Sequence, residues 1–282
     1  MFKFGFSEEN NAKEDDNDHK RSLNWVDASK IEVSSLNCDQ IYEPDEYFES
    51  KALDGMKFKL IRSDKVLCDL IGNNSVNIIE AESQHSDLIP AKYEGGLKIW
   101  ECTYDLGEYI VRENINLQNK LVLDLGCGAG IIGLIALSKD SLVHFQDYNA
   151  EVITTVTIPN VLLNFEDKQR ILTKCDFYSG DWASFTTLLS KDNEDENKKY
   201  DFIFTSETIY NPDNHRKLYE VFKKKLKPNG VGFVAAKTYY FGVGGGMRQF
   251  ENVVKEDGAF NVEIVWKNPT GLQREILKLS WR

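Results

Sequence analysis

Short apolar runs alternate with amphipathic stretches from residue 96 to the end of the chain. Five early runs have the length and the β-branched or aromatic content of buried strands: "KLVLDLG", "SLVHFQDYN", "RILTKCDFYSGDW", "YDFIFTSETIY" and "VGFVAAKTYY". Helical length and periodicity characterise "GIIGLIALSK", "AEVITTVTIPNVLLNF", "NHRKLYEVFKKKL" and "GMRQFENVVKEDG". Pro159 predicts a kink or break within its helix, and "KPNG" predicts a turn. Strands separated by helices predict parallel βαβ units with right-handed crossovers.

The chain divides into three predicted regions. Residues 1–50 are polar and predict a flexible leader, because such a segment buries too little apolar surface to offset its ordering entropy. Residues 51–90 predict an extension that packs on the core, and 91–282 predict the main domain. Within the extension, "FKLIRSDKVLCDLI" (58–71) resembles strand material with "SDK" as a turn, which predicts a small hairpin.

The strongest motif is the glycine loop in "VLDLGCGAGIIG". Glycines at Gly126, Gly128 and Gly130 let the backbone approach a ligand with positive φ. Two templates fit this loop. "GAGIIG" satisfies the dinucleotide fingerprint, whereas "DLGCGAG" places a carboxylate, Asp124, two residues before the first glycine.

Asp124 distinguishes the two templates. A dinucleotide seats its pyrophosphate at the helix N-terminus, where a neighbouring carboxylate repels it. S-adenosylmethionine carries an ammonium and no phosphate, so an acid at this position is useful. Asp147 ends the next strand and can hold ribose hydroxyls in either cofactor, so it does not discriminate between them. We therefore expect S-adenosyl-L-methionine as the cofactor.

Composition narrows the classes of partner. The net charge of -11 argues against wrapping a DNA backbone and is compatible with a basic protein partner. Five cysteines without CxxC spacing and four histidines without ligand spacing argue against a disulfide framework and a metal site. Reduced thiols predict a cytoplasmic or nuclear location. No apolar run reaches the roughly 20 residues of a membrane helix.

Several motifs in order resemble the protein histidine methyltransferases. They are "HSDLIPAKYEGGLKIWECTYDL" (85–106), "VLDLGCGAGIIGL" (122–134), "FQDYN" (145–149), "SGDW" (179–182) and "TSETIY" (205–210). The resemblance implies an α/β, Rossmann-like seven-strand class I methyltransferase sheet of order 3-2-1-4-5-7-6, flanked by helices. In that fold the last strand is antiparallel, and the short link between "FNVEIVWKN" and "REILKLSW" agrees.

The resemblance also implies a set of cofactor-binding residues. Trp100 can offer a π-face to the sulfonium and Glu101 can pair with the ammonium; the alternatives are core packing and a solvent-facing helix position. Asp181 can accept the adenine amine, while Trp182 can stack on the base or pack in the core. The full set is Ile99, Trp100, Glu101, Cys102, Thr103, Asp124, Gly126, Gly128, Gln146, Asp147, Tyr148, Gly180, Asp181, Trp182 and Ser206.

"SETIYNP" follows the fourth strand and predicts the catalytic residues. Glu207 and Tyr210 match the acid-x-x-aromatic pattern of the lysine-directed methyltransferases. Glu207 is the candidate to hold the N–H of an acceptor imidazole. "NPDN" (211–214) lacks the second proline and the aromatic of amino-methylating DNA enzymes, which argues against a nucleobase acceptor. The aromatic run 239–241 is a second candidate to surround an imidazole, or a part of the core.

The resemblance further implies the reaction: N-methylation, at the tele nitrogen, of a histidine in the third protein of the large ribosomal subunit. Two alternatives remain, a protein-lysine N-methyltransferase of the same fold and a non-catalytic scaffold that keeps the cofactor pocket. We expect a monomer in the cytoplasm and nucleus, with a basic protein substrate and neither DNA nor membrane as partner.

Overall fold

A computed structural model describes residues 25–34, 39–72, 80, 88–191 and 199–282. Within these residues an eight-stranded sheet has the order β1-β6-β5-β4-β7-β8-β10-β9. Its strands are β1 (Ser29–Ile31), β4 (Leu121–Leu125), β5 (Leu142–Asp147), β6 (Cys175–Ser179), β7 (Tyr200–Ser206), β8 (Leu226–Lys237), β9 (Phe260–Lys267) and β10 (Arg274–Trp281). A separate hairpin pairs β2 (Tyr47–Glu49) with β3 (Lys59–Ile61).

Helices cover both faces of this sheet. They are α1 (Ser63–Gly72), α2 (Glu101–Arg112), α3 (Ile131–Ser138), α4 (Ala150–Val152), α5 (Ile158–Asn164), α6 (Lys168–Leu172), α7 (Trp182–Lys191), α8 (His215–Lys225) and α9 (Met247–Asp257). Two buried apolar clusters, one on each face, form the core. Across the described residues, every helix is too short or too polar to cross a lipid bilayer.

The predicted strand order is confirmed. Strands β6-β5-β4-β7-β8-β10-β9 reproduce 3-2-1-4-5-7-6, with parallel pairing from β6 to β8 and antiparallel pairing of β10 on both sides. The eighth strand, β1, pairs antiparallel with β6 and was not predicted. It comes from residues 1–50, so the prediction of a flexible leader is wrong for Ser29–Ile31. Residues 1–24 of that leader lie outside the described residues.

The predicted hairpin exists, but its strands lie elsewhere. The segment 58–71 contains one strand, β3, and then helix α1 begins at Ser63. Val66 and Leu70 are both buried and four residues apart, which is the spacing of one helix face. The partner strand β2 lies upstream. The hairpin packs on the core helices, since Asn164 and Asn160 accept from the backbone N–H groups of Lys59 (2.9 Å) and Ile61 (2.7 Å).

Three further boundaries differ from the prediction. "KPNG" lies inside β8, where the pairing with β7 shifts register between Tyr200 and Phe202; a bulge accommodates Pro228 in a strand. "RILTKCDFYSGDW" begins as helix α6 and becomes a strand only at Cys175. Around Pro159 the chain does not break: a π-helical segment, Ile153–Thr157, joins α4 to α5.

Candidate cofactor and acceptor site

A cleft opens at the carboxyl ends of β4, β5, β6 and β7. Ligands of open α/β sheets bind at this edge. The structure brings most of the predicted site residues together here. Those that line the cleft are Ile99, Trp100, Thr103, Gly126, Gly128, Asp147, Tyr148, Gly180, Asp181, Trp182, Ser206, Glu207 and Tyr210.

The glycine loop forms the floor of the cleft with left-handed backbone. Gly126 and Gly128 have φ of +67° and +50°, a region that favours glycine. A Cβ on Gly126 would lie 2.6 Å from Thr208 Cγ2, and one on Gly128 would lie 3.0 Å from the carbonyl oxygen of Gly96. Larger residues would therefore both strain the loop and push away the segments that face it.

Asp124, predicted to meet the donor's ammonium, does not line the cleft. Its Oδ2 accepts a hydrogen bond of 2.8 Å from the N–H of Gly133, in the first turn of α3. Burial raises the pKa of this carboxyl to about 7. The residue therefore fastens β4 to the N-terminus of α3 and supports the glycine loop from behind.

Asp147, at the end of β5, does face the cleft. Its Oδ2 accepts from the N–H of Gly128 (2.9 Å) and its Oδ1 from the N–H of Asn149 (3.3 Å). Burial raises the pKa of this carboxyl to about 6. These bonds hold the carboxylate beside the glycine loop, where it can receive ligand hydroxyls.

Gln146 supports the cleft without lining it. Its side chain is fully buried; its Oε1 accepts from Trp182 Nε1 (3.0 Å) and its Nε2 donates to the carbonyl oxygen of Gly180 (2.8 Å). The indole of Trp182 is therefore fixed along the wall. Asp181 is similarly engaged: its Oδ1 accepts from Ala183 N–H (2.9 Å) and its Oδ2 pairs with Lys217 Nζ (2.6 Å).

Helix α2 begins at Glu101 and turns two predicted residues away from the cleft. The Glu101 side chain is 55% exposed, pairs with Lys237 (3.2 Å) and does not line the cleft, so its pairing with the donor's ammonium stays a prediction. Cys102 is fully buried, and its N–H donates to Glu207. Trp100 lines the cleft, yet the ammonium groups of Lys98 and Lys237 lie 4.5 and 5.4 Å from its ring centroid.

Glu207 is a buried carboxylate held from three sides. It follows β7 with a left-handed φ of +58°, a conformation that residues of this type seldom adopt outside functional sites. Its Oε1 accepts from Cys102 N–H (3.3 Å), at the N-terminus of α2, and lies 3.5 Å from Lys237 Nζ. Its Oε2 accepts from the hydroxyl of Tyr240 (2.6 Å). The positive end of α2 and the lysine both stabilise negative charge there.

Tyr210 has a different partner. Its hydroxyl donates to Glu94, whose other oxygen accepts from Ala91 N–H (2.7 Å). Burial and the charge of Glu94 raise the pKa of Tyr210 well above its usual range. Thus Glu207 and Tyr210 both line the cleft, but they belong to two separate hydrogen-bonded networks.

The aromatic run 239–241 splits between surface and core. Tyr239 and Phe241 are 46% and 69% exposed, whereas Tyr240 is buried and contacts Glu207. Lys237, which contacts both Glu207 and Glu101, was not predicted as part of the site, although a lysine at the end of the apolar run "VGFVAA" was a visible irregularity. Other residues of the cleft that had no predicted contact with it are Trp25, Gly95, Gly96, Lys98, Cys127, Ala129, Thr208 and Asn214, together with Glu94.

Residues 90–241, which supply most of the cleft, match the family model described as lysine methyltransferase. The chain belongs to this methyltransferase family. Three relatives share the name histidine protein methyltransferase 1 homolog. The protein from Bos taurus is 42% identical, and the match covers 73% of this chain and 61% of the bovine chain. The protein from Rattus norvegicus is 36% identical, and the match covers 90% of this chain and 75% of the rat chain. The protein from Dictyostelium discoideum is 43% identical, and the match covers 69% of this chain and 60% of that relative. This chain therefore spans about three-fifths of the bovine relative.

The cofactor of this methyltransferase domain is S-adenosyl-L-methionine, and the cleft residues fit it. The missing Cβ of Gly128 lets the glycine loop lie directly against the backbone of Gly96, and both residues line the cleft. Asp147 offers a carboxylate for ribose hydroxyls, and the fixed indole of Trp182 offers a flat wall for adenine. When bound, the cofactor supplies the methyl group of its sulfonium. The remaining part of the cofactor is a neutral thioether, which is a good leaving group.

Proposed function

We propose that this chain is an S-adenosylmethionine-dependent protein histidine N-methyltransferase. The observation that carries the proposal is the position of Glu207: a carboxylate at the cleft, on the carboxyl edge of the sheet, with its two oxygens fixed by Cys102, Lys237 and Tyr240. The identity of 36–43% to relatives named histidine protein methyltransferases supports the same conclusion.

The chemistry asked of the chain is mainly positioning. A neutral imidazole, with a pKa of about 6.5, has a free lone pair at neutral pH. That lone pair forms the new N–CH₃ bond while the methyl–sulfur bond breaks and its electron pair stays on sulfur. Alignment of nucleophile and methyl group can supply roughly 7–11 kcal/mol of the barrier reduction. Glu207 accepts the N–H of the other ring nitrogen, which fixes the tautomer and stabilises the imidazolium that forms.

A lysine acceptor makes a different demand on the site. Its amine, with a pKa of about 10.4, must first lose a proton to a base. Glu207 is already engaged with a backbone N–H, a hydroxyl and a buried lysine, so it suits orientation better than proton removal. Lysine remains the second candidate because the matching family model bears that description.

For the acceptor we propose a histidine of the third large-subunit ribosomal protein, modified at the tele nitrogen. The sequence resemblance supports this choice, as does the net charge of -11, which favours encounter with a basic protein. Tyr239 and Phe241 lie on the loop after β8, whose Gly245 donates to the carbonyl oxygen of Tyr210 (3.0 Å), and they offer an exposed aromatic contact beside the cleft. The proposal includes a monomer that acts in the cytoplasm and nucleus.

The test uses the purified chain, a donor with a labelled methyl group and ribosomal fractions from cells that lack the protein. Three peptides matched to the modified site, with His, Lys or Ala at the acceptor position, separate the candidates. We expect label only on the histidine peptide, and hydrolysis to release tele-methylhistidine. Label on the lysine peptide would establish the second candidate. Absence of label from every substrate, with adenosylhomocysteine still bound, would establish the scaffold.

Glu207→Gln tests the proposed role within the same assay. The amide keeps the size of the side chain and removes its charge, so we expect the rate constant to fall roughly 100-fold, as when one preorganised charge-stabilising group is removed from an active site. Adenosylhomocysteine should bind within about twofold of the wild type. An unchanged rate constant would show that Glu207 does not orient the acceptor.

A further inference from the structure

The segment Trp25–Ile31, here called the N-terminal strap, lies outside the residues that match the family model, which begin at residue 90. Its last three residues form β1 and pair with β6 in the register Ser29 to Ser179. Upstream of β1, the strap crosses the carboxyl end of β6. The carbonyl oxygen of Val26 accepts from Asp181 N–H (2.9 Å), and Ala28 N–H donates to Ser184 Oγ (2.9 Å).

Gly180 is shaped to receive the strap. A Cβ at this position would lie 2.5 Å from the Cα of Ala28 and 2.6 Å from the carbonyl oxygen of Asp27. Its φ of +103° also favours glycine. The strap is therefore packed directly on the backbone of the loop that follows β6, and that loop forms one wall of the cleft.

Trp25, at the start of the strap, reaches the cleft itself. Its ring lies edge-on to Tyr148, with centroids 5.7 Å apart, and Tyr148 accepts from Val26 N–H (3.0 Å). The ammonium of Lys217 lies 3.7 Å from the Trp25 ring centroid and pairs with Asp181 Oδ2 (2.6 Å). The indole is thus held over the β5–β6 end of the cleft by an aromatic neighbour and a cation.

We infer that the N-terminal strap is part of the cofactor site, and that Trp25 is the wall that closes its adenosine end. The inference rests on the assignment of Asp147 and Trp182 to the ribose and the base; it does not depend on whether the acceptor is histidine or lysine. A purine offers a flat π-face, and an indole is the side chain that stacks on it best. The affinity for the cofactor is thereby set in part by a segment that precedes the methyltransferase domain.

Calorimetry with adenosylhomocysteine tests this without any acceptor. We expect Trp25→Ala to raise the Kd about tenfold or more, and Trp25→Phe to raise it less because a ring remains. Ser184 lies outside the cleft, and Ser184→Ala removes the hydrogen bonds that its hydroxyl makes with Ala28 and Asp27 of the strap. We expect a Kd about threefold higher. Leu142→Ala is the matched control: this large apolar side chain is 49% exposed, lies at the amino end of β5 outside the strap, and does not line the cleft. Its Kd should stay within twofold.

A Kd for Trp25→Ala within twofold of the wild type overturns the inference, provided that the unfolding midpoint of the free protein is unchanged. Should Trp25→Ala fail to fold, hydrogen exchange of the wild type decides. Adenosylhomocysteine should then slow exchange of the Val26 and Ala28 amides at least fivefold relative to the amides of β9. Equal exchange with and without ligand overturns the inference. Because neither readout involves methyl transfer, failure here is distinct from failure of the proposed histidine activity.

Discussion

The hydroxyl of Tyr240 donates to Oε2 of Glu207 over 2.6 Å, and both side chains are buried. Burial and the negative charge of Glu207 raise the pKa of Tyr240 well above its usual range, so the phenol keeps its proton and remains a donor. A loop after β8 thus positions a carboxylate that follows β7. Tyr240 itself does not line the cleft, so its contact with Glu207 is its link to the site.

Tyr240→Phe should therefore impair catalysis while it preserves the ring packing. We expect the rate constant to fall roughly tenfold, because a misplaced carboxylate loses alignment with the acceptor. Kd for adenosylhomocysteine should stay within about twofold. Tyr219→Phe is the matched control, since Tyr219 also donates to a carboxylate, Asp257, over 2.6 Å but does not line the cleft. Steady-state kinetics of both variants decide the point; equal rate constants would refute the positioning role.

Lys237→Met should destabilise the fold. Lys237 is 6% exposed and lies between Glu207 (3.5 Å) and Glu101 (3.2 Å). Removal of its charge leaves the buried Glu207 carboxylate without its cation, which costs about 3 kcal/mol in comparable pairs. Urea unfolding measures this loss. Lys57→Met removes one partner of an exposed pair with Glu49 (3.2 Å) and should change stability by less than about 0.5 kcal/mol.

The double variant Lys237→Met/Glu207→Gln identifies the cause of that loss. With the carboxylate neutralised, the missing cation matters less, so the double variant should be more stable than the sum of the single effects predicts. We expect a coupling of at least about 1 kcal/mol. Strict additivity would show that Lys237 stabilises the protein through packing of its stem and not through Glu207.

Stability of the free protein should depend on pH through Asp124. Its pKa is about 7 in the folded protein and 3.8 in the ordinary reference state. The folded state therefore binds more protons between about pH 4 and 7, and this contribution to stability is lost as pH rises through that window. Each pKa unit corresponds to about 1.4 kcal/mol. Asp147, with a pKa of about 6, acts in the same direction.

Asp124→Asn removes the first of these contributions and keeps an oxygen that can accept from Gly133. The free energy of unfolding of Asp124→Asn minus that of the wild type should therefore become more positive from pH 4.5 to 7.5. Urea melts at four pH values measure this difference. A difference that stays constant across the window would show that Asp124 does not take up a proton in the folded protein.

The glycine loop could be predicted because its residues lie close together in sequence. The sheet order was predicted from the resemblance to a known family, which those local motifs carry. The start of α2 was not predicted, and it decides which side chains of 99–103 face the cleft. Once the helix begins at Glu101, Trp100 and Thr103 are three residues apart and share a face, while Glu101 and Cys102 turn away. The sequence motif alone does not show where the helix begins, so it does not show which of these side chains face the cleft.

Contacts between segments that are distant along the chain could not be predicted from the sequence either. The strap meets β6 about 150 residues further along the chain, and Lys237 meets Glu207 and Glu101 from another strand. Neither relationship leaves a local pattern that identifies the partner: a lysine that ends an apolar run is noticeable, but no neighbouring residue points to Glu207 or Glu101. Asp124 illustrates a further limit: its carboxylate has the spacing of a ligand residue, but its oxygen is used by the helix that follows.

Gly133→Ala should destabilise the protein although alanine favours helices. Gly133 lies in the first turn of α3, and a Cβ there would lie 2.0 Å from Phe145 Cε1. The Phe145 ring is stacked on Phe177, with centroids 5.2 Å apart, and cannot move aside without disturbing the core. Overpacking of this kind costs about 1–3 kcal/mol, which exceeds the roughly 1 kcal/mol that alanine contributes to a helix.

Phe145→Leu should relieve the steric overlap between an alanine at position 133 and the ring of Phe145. Leucine lacks the ring atoms that the new methyl group would meet, so the double variant Gly133→Ala/Phe145→Leu should lose less stability than the two single variants lose together. We expect a favourable coupling of at least about 1 kcal/mol in urea unfolding. If the two losses simply add, the cost of Gly133→Ala lies in the altered backbone of the glycine loop, and adenosylhomocysteine binding should then weaken in both variants that carry the alanine.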